Sequence, residues 1–293
     1  MGNQIDKVKQ NQISIRNFIT GDAAMKKMQE LVGKNAASFA TSIMQIVNSS
    51  DKLKMATPHS ILNAACMAAT LNLPINNNLG FAYIIPYFNK TTQIYEAQFQ
   101  LGYKGFIQLA QRSGQFKRIN ACPVYDEDAE EDVHRRLTSL IPIKPRGEII
   151  GYIAYFQLLN GYEANLTMTV EELQAHAKQY SQTYKAGTGL WKDNFEGMAR
   201  KTVIKLLLSQ QAPLSIDMQQ AMLADQAVVK DVTNGEFEYI DNQPAPPEII
   251  IPVDEALFET LKENISTGEI SVEEVLSGKY QLTQEQQAEI EAL

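Results

Sequence analysis

The sequence predicts a mixed α+β core with a largely antiparallel sheet, followed by a small acidic helical C-terminal module. Three observations predict it. Apolar and polar residues alternate with a period of two across roughly 81–101 and 148–168, the pattern of half-buried strands. Between and around them run apolar stripes at helical spacing, several opened by capping residues. After residue 230 the charge changes sign and four prolines, Pro244, Pro246, Pro247 and Pro252, interrupt the chain. At 293 residues and 44% hydrophobic content the chain can bury one large core and a smaller unit.

The elements follow in order. Residues 1–17, polar through Gln12, are expected to be a flexible N-terminus. Helices are expected over about 22–32 and 35–49, the second capped by Asn35 and burying Phe39, Ile43, Ile46 and Val47. Thr57-Pro58 opens a third helix, rich in small residues (Ala64, Ala65, Ala68, Ala69) that allow close approach of a neighbour. Phe81 to Leu101 forms a hairpin with its polar tip at 89–92; Pro86 lacks a backbone donor and marks an edge or a bulge. A helix over 102–113 closes at Gly114, and a strand follows over 116–124. The acidic, proline-containing stretch 126–147 is expected to be a loop. Asn160-Gly161 joins strands over 148–159 and 162–168, where a type I′ turn would need positive φ at both positions. Thr169 and Glu172 form a capping box, and a long helix is expected over about 192–210. The resulting division is a flexible N-terminus (1–17), a core (18–230), a proline-containing linker (231–252) and an acidic helical module (253–293). Short helices are expected in the last of these near 254–265, 271–277 and 283–292.

Composition excludes several classes. No window approaches the ~18 uninterrupted apolar residues of a membrane span, and the polar N-terminus lacks the apolar segment of a signal peptide. Cys66 and Cys122 make neither a disulfide framework nor a metal quartet; they read as small buried residues of a protein in a reducing cytoplasm. Gly33-Lys34 lacks the rest of a phosphate loop, His59, His134 and His176 have no metal-ligand spacing, and no nucleophile elbow occurs. The sequence therefore implies no catalytic residue, no metal and no cofactor. The six acids within 126–132 suggest a solvated loop more than a nuclease metal site, since nuclease carboxylates converge from rigid elements.

Net charge is −8, yet its distribution is uneven. Residues 231–293 carry 15 acids against Lys262 and Lys279, giving −13, whereas 1–230 carry 24 cations against 19 acids, giving +5. The cations cluster. Lys104 and Tyr103 lie where a strand passes into a helix over two glycines, and helix N-termini present free N–H groups to phosphate. In the 192–210 helix, Phe195, Ala199, Thr202, Val203 and Leu206 share one face, with Lys201 and Lys205 nearly opposite and Arg200 on their flank. Such a stripe fits a nucleic-acid backbone groove and equally an ordinary solvated face. Arg112, Lys117 and Arg118 gather around Gly114; Arg135, Arg136, Lys144 and Arg146 lie in the 126–147 stretch; Lys192 follows Trp191. Tyr83, Tyr87, Tyr95, Tyr103 and Trp191 are rings suited either to packing or to stacking on bases.

Four stretches carry a family resemblance: AACMAATLNLPINNNLGFAYIIPY (64–87), QFQLGYKGFIQLAQRSG (98–114), GYIAYFQLLNG (151–161) and the segment from Trp191 to Ser209, above all MARKTVIKLLLS. In order and separation they resemble the RecT family of phage and prophage single-strand DNA annealing proteins, over about residues 35–220. The resemblance implies a twisted antiparallel sheet with hairpins packed on a long central helix. It implies ATP-independent binding of single-stranded DNA, annealing into duplex, assembly into rings or filaments, and work beside a phage exonuclease inside a bacterial host. Lys104, Arg200, Lys201 and Lys205 would then line a phosphate-tracking groove, joined by Tyr103, Arg112, Lys117, Arg118 and Lys192. The hairpin tip 89–92 would touch either bases or a neighbouring protomer. Two other classes compete: a metal-dependent nuclease using 126–132, and an adaptor that self-assembles without DNA. The acidic tail is expected to dock an exonuclease or a host single-strand-binding protein, to mimic DNA in the groove, or only to add solubility.

Overall fold

The computed structural model describes residues 2–90, 92–139, 144, 147–232 and 235–239, and in the last part 251–252, 258, 261–262, 265, 280–281 and 284–291; for 2–9, 182, 251–252, 280–281, 284–285, 288 and 291 it describes the backbone alone. The chain divides into two compact units, Met1–Asp241 and Asn242–Leu293.

The first unit opens with three helices, α1 (Gly2–Ile19), α2 (Asp22–Val32) and α3 (Ala36–Asn48), that pack around α4 (Pro58–Thr70). The later part of the segment expected to be flexible is docked. Ile15 and Ile19, one helical turn apart, are fully buried and anchor α1 to the core, and the Asn11 amide donates to the Lys54 carbonyl at 2.7 Å. Thr57 caps α4, its hydroxyl accepting from the Ser60 N–H. The small residues of α4 let it lie against two strands at once: the Ser60 hydroxyl accepts from the Ala97 N–H at 2.8 Å, and the Asn63 amide donates to the carbonyls of Val229 and Lys230.

Strands β1 (Ala82–Asn89) and β2 (Ile94–Leu101) form the expected hairpin, with Pro86 opposite Ala97 on a strand paired on one side only. A second sheet, ordered β3-β4-β5, comprises β3 (Phe116–Tyr125), β4 (Ile149–Leu158) and β5 (Glu163–Thr169), all antiparallel. Between the sheets runs α5 (Tyr103–Arg112). The β4–β5 turn departs from the expected type. Leu158 N–H bonds the Tyr162 carbonyl, Gly161 N–H returns to the Leu158 carbonyl, and only Gly161 has positive φ. This is a three-residue connection in which glycine alone takes the left-handed position. The expected loop at 126–147 also contains a helix, α6 (Glu130–Thr138). Three acids in its first turn and Arg135 and Arg136 in its last complement the helix dipole.

The core helix of the second sheet is α10 (Phe195–Gln211), reached through α7 (Val170–Tyr180), α8 (Gln182–Lys185) and α9 (Leu190–Asp193). The Thr169–Glu172 capping box opens α7 with both reciprocal bonds. The expected single helix over 192–210 is broken at Asn194, whose non-helical backbone ends α9 and whose side chain caps α10 by accepting from the Gly197 N–H at 3.1 Å. Helix α10 packs on β3, β4 and β5 and against α5, while α6 covers part of the opposite sheet face through Leu137, Cys122 and Tyr155. Helix α11 (Ile216–Ala224) and the pair β6 (Val228–Asp231) and β7 (Glu236–Glu238) complete the unit; Phe99 and Ala227 bridge β2 to the start of β6. Cys66 and Cys122 are buried, free thiols, and burial pushes each pKa up to about 11.

In the second unit β8 (Ile251–Pro252) pairs in parallel with β9 (Tyr280–Gln281), and α12 spans Gln284–Glu291. Most of the linker and of the other expected helices lies outside the described residues. Among the described residues no helix is long and apolar enough to cross a membrane.

Candidate nucleic-acid interface

The passage from β2 into α5 is built by close backbone contact. Gly102 N–H donates to the Phe81 carbonyl at 2.9 Å. A β-carbon on Gly102 would stand 2.1 Å from the Gly80 carbonyl oxygen, and one on Gly105 would stand 2.3 Å from that of Phe81. The two glycines read from the sequence as opening a phosphate seat therefore serve first to let the 80–81 backbone cross the start of α5. Gly102→Ala is expected to lower stability by about 1–3 kcal/mol through this overlap. Thermal denaturation beside Lys104→Ala, an exposed neighbour that should leave the midpoint unchanged, checks it. Around the crossing sit Tyr83, whose hydroxyl burial pushes upward in pKa, and Tyr103, half-buried against the core; the Lys104 head group is exposed.

On α10 the expected basic stripe is absent. Lys201 is 4% exposed and Asp225 2%. The Lys201 ammonium donates to one Asp225 carboxylate oxygen at 2.7 Å, Lys205 donates to the other at 2.7 Å, and Leu101 N–H donates to the first at 2.9 Å. One carboxylate thus ties two turns of α10 to the last residue of β2. Burial alone would raise the Asp225 pKa, but the two ammonium charges overcome it and hold the carboxyl below its ordinary 3.8. Burial likewise pulls the Lys201 ammonium down, with Asp225 opposing. Lys205 keeps about a third of its side chain exposed and lies near His176, whose pKa is lowered by burial and then by that charge.

The stripe fails because α10 is not a surface helix. The three-stranded sheet and α5 flank it, and Asp225, just beyond α11, closes a further side. The sequence held a signal for this: Met198, Ile204, Leu207 and Leu208 lie outside the single apolar face assigned, and all are buried. A helix apolar on nearly every side is an interior helix. Asp225 is also the sole acid within 218–230, and its role as the counter-charge went unread.

The other cations divide into occupied and open ones. Arg200 donates to Glu196 at 2.5 Å and lies over the Tyr103 ring at 5.6 Å, so it is held against the β2–α5 passage. Arg112 donates to the Leu71 and Asn72 carbonyls, satisfying the C-terminal end of α4. Arg136 pairs with Asp128 through two 2.7 Å bonds, donates to the Pro123 carbonyl and lies over Tyr125. Lys104, Lys117, Arg118 and Lys192 are exposed, Lys117 at a bulge in the β3–β4 register. Arg135 and Lys144 are exposed as well, and Arg146 lies outside the described residues. The structure thus brings Tyr103, Arg200, Lys201 and Lys205 together around the β2–α5 passage and leaves Lys117, Arg118 and Lys192 on other elements. In the acidic stretch Asp128 is held by Arg136, and among the described residues no three His, Cys, Asp or Glu side chains converge as a metal site would require.

These features describe an α+β protein built around an interior helix, with some of its cations paired inside and others exposed. The chain belongs to the RecT family, whose family model matches residues 37–240. It is 37% identical over 246 residues to the uncharacterized protein YqaK of Bacillus subtilis (strain 168), covering 81% of this chain and 82% of that one. It is 30% identical over 196 residues to protein RecT of Escherichia coli (strain K12), covering 62% of this chain and 71% of that one. The family is one of phage-type single-strand annealing proteins of DNA recombination, not of classical enzymes. The resemblance carried by 64–87, 98–114, 151–161 and 191–209 lies inside the matched span.

Proposed function

We propose that this protein binds single-stranded DNA and anneals complementary strands without ATP, acting as a homo-oligomer, ring or filament, in phage-type recombination in the cytoplasm of a bacterial host. The observation that carries the reading is family membership across the span that folds into the core. Exposed Lys104, Lys117, Arg118 and Lys192 contact phosphates, Arg200 and Lys205 line the β2–α5 passage near Lys104, and Tyr103 supports Arg200. Arg112 and the buried Lys201 act from beneath, by fixing α4 and α10. Backbone contacts hold a strand while pairing with a second strand supplies sequence specificity. The acidic unit Asn242–Leu293 docks a phage exonuclease or a host single-strand-binding protein. Fluorescence annealing of complementary oligonucleotides, run without ATP and with Mg²⁺, tests the reading. Rapid duplex formation of intact strands that slows steeply with salt is expected; no acceleration over protein-free strands would overturn it, and Mg²⁺-dependent shortening of the strands would favour a nuclease.

A further inference from the structure

A cleft of about 490 Å³ lies between the β1–β2 hairpin and the chain joining α7 to α10. Its lining includes Ile85, Tyr87, Gln98, Tyr180, Trp191 and Met198. About half of the lining residues are polar, Gln100, Gln226 and Asp193 among them, and a space of this size that mixes rings with polar groups can hold a small ligand. Gln98 is 1% exposed, and its side-chain Nε2 is buried without a hydrogen-bond partner. A buried amide donor left unmatched is unfavourable and calls for an explanation, because native interiors satisfy nearly all such groups. Two exposed cations, Lys52 and Lys192, also border the cleft.

We infer that this cleft takes one unpaired nucleobase, with Gln98 Nε2 donating to an acceptor on the base edge, the ring lying among Trp191, Met198 and Ile85, and Lys52 and Lys192 holding the flanking phosphates. The inference rests on the DNA reading above and goes beyond it, since backbone binding alone needs no base pocket. Every base carries an edge acceptor, so the pocket discriminates an unstacked base from a paired one more than one base from another.

Trp191 is the chain's only tryptophan, so its emission reports on the cleft in the unaltered protein. Two end-labelled 20-mers are compared, oligo-dT and an abasic strand with the same number of phosphates. Label anisotropy measures binding and Trp191 emission measures occupancy of the cleft. Oligo-dT is expected to bind about tenfold more tightly than the abasic strand and to quench Trp191, which the abasic strand leaves unchanged. Gln98→Leu, which fills the site with an apolar side chain, is expected to reduce the preference severalfold while keeping the salt dependence. If both strands bind equally, or if oligo-dT binds with Trp191 emission unaltered, the base pocket is refuted and the DNA reading survives. If neither strand binds at low salt, the DNA reading fails and the pocket with it. Should Gln98→Leu not fold, the two wild-type measurements still decide.

Discussion

Replacing Asp225 with alanine is expected to destabilise the protein by about 3–5 kcal/mol, because it leaves Lys201 enclosed without its counter-charge and frees Lys205 and the Leu101 N–H. Urea unfolding followed by circular dichroism measures it, and a change under about 1 kcal/mol would contradict the buried triad. The pH dependence has a definite sign. The folded pKa of Asp225 lies below the unfolded value near 3.8, so between the two the unfolded chain binds more protons. The stabilisation is complete above that value and disappears as pH falls through the folded pKa. Asp225→Asn should lack this acid limb. Pairing Lys201→Met with Asp225→Leu should recover much of the stability lost by either single change, since a packed apolar pair avoids the desolvation both charges suffer.

Removing the four exposed cations together, Lys104, Lys117, Arg118 and Lys192 each to Ala, is expected to weaken single-strand binding with little loss of stability. Each phosphate contact on a single strand contributes about 0.7 to the slope of log K against log salt, so four lost contacts flatten it by roughly 3 units. Titrations at several salt concentrations read the slope directly, and an unchanged slope would place the phosphate path elsewhere. The contrast with Lys201→Ala and Lys205→Ala is instructive. From sequence that pair is the natural choice for emptying a groove, yet in the structure it strands a buried carboxylate. Any loss of annealing there would report on folding first.

Much of the fold was legible. Period-two alternation placed β1, β2, β4 and β5, and the caps at Thr57 and Thr169 placed α4 and α7, because these are local signals. What escaped depends on partners distant in sequence or on competing turn chemistry. Two isoleucines, Ile15 and Ile19, suffice to dock α1, but the surface that receives them comes from other helices. Acids followed by arginines at 130–136 had the charge order of a helix, which the weight of acidic residues obscured. For the candidate site the sequence named the cations without showing which of them are covered. Lys104, Lys117, Arg118 and Lys192 are exposed as a phosphate contact requires, whereas Lys201 and Arg112 hold the structure, because a helical wheel cannot know what covers its other side.

The bond from Leu101 N–H to Asp225 spans 124 residues of chain. During synthesis the β1–β2 hairpin and α5 emerge long before the carboxylate that fastens the end of β2, and α10 emerges with Lys201 still lacking its counter-ion. Joining them closes a long loop, a slow kind of step that comes late in folding. A ribosome-bound chain ending short of residue 225 therefore leaves the Lys201 and Lys205 ammonium groups and the Leu101 N–H without the carboxylate that joins them.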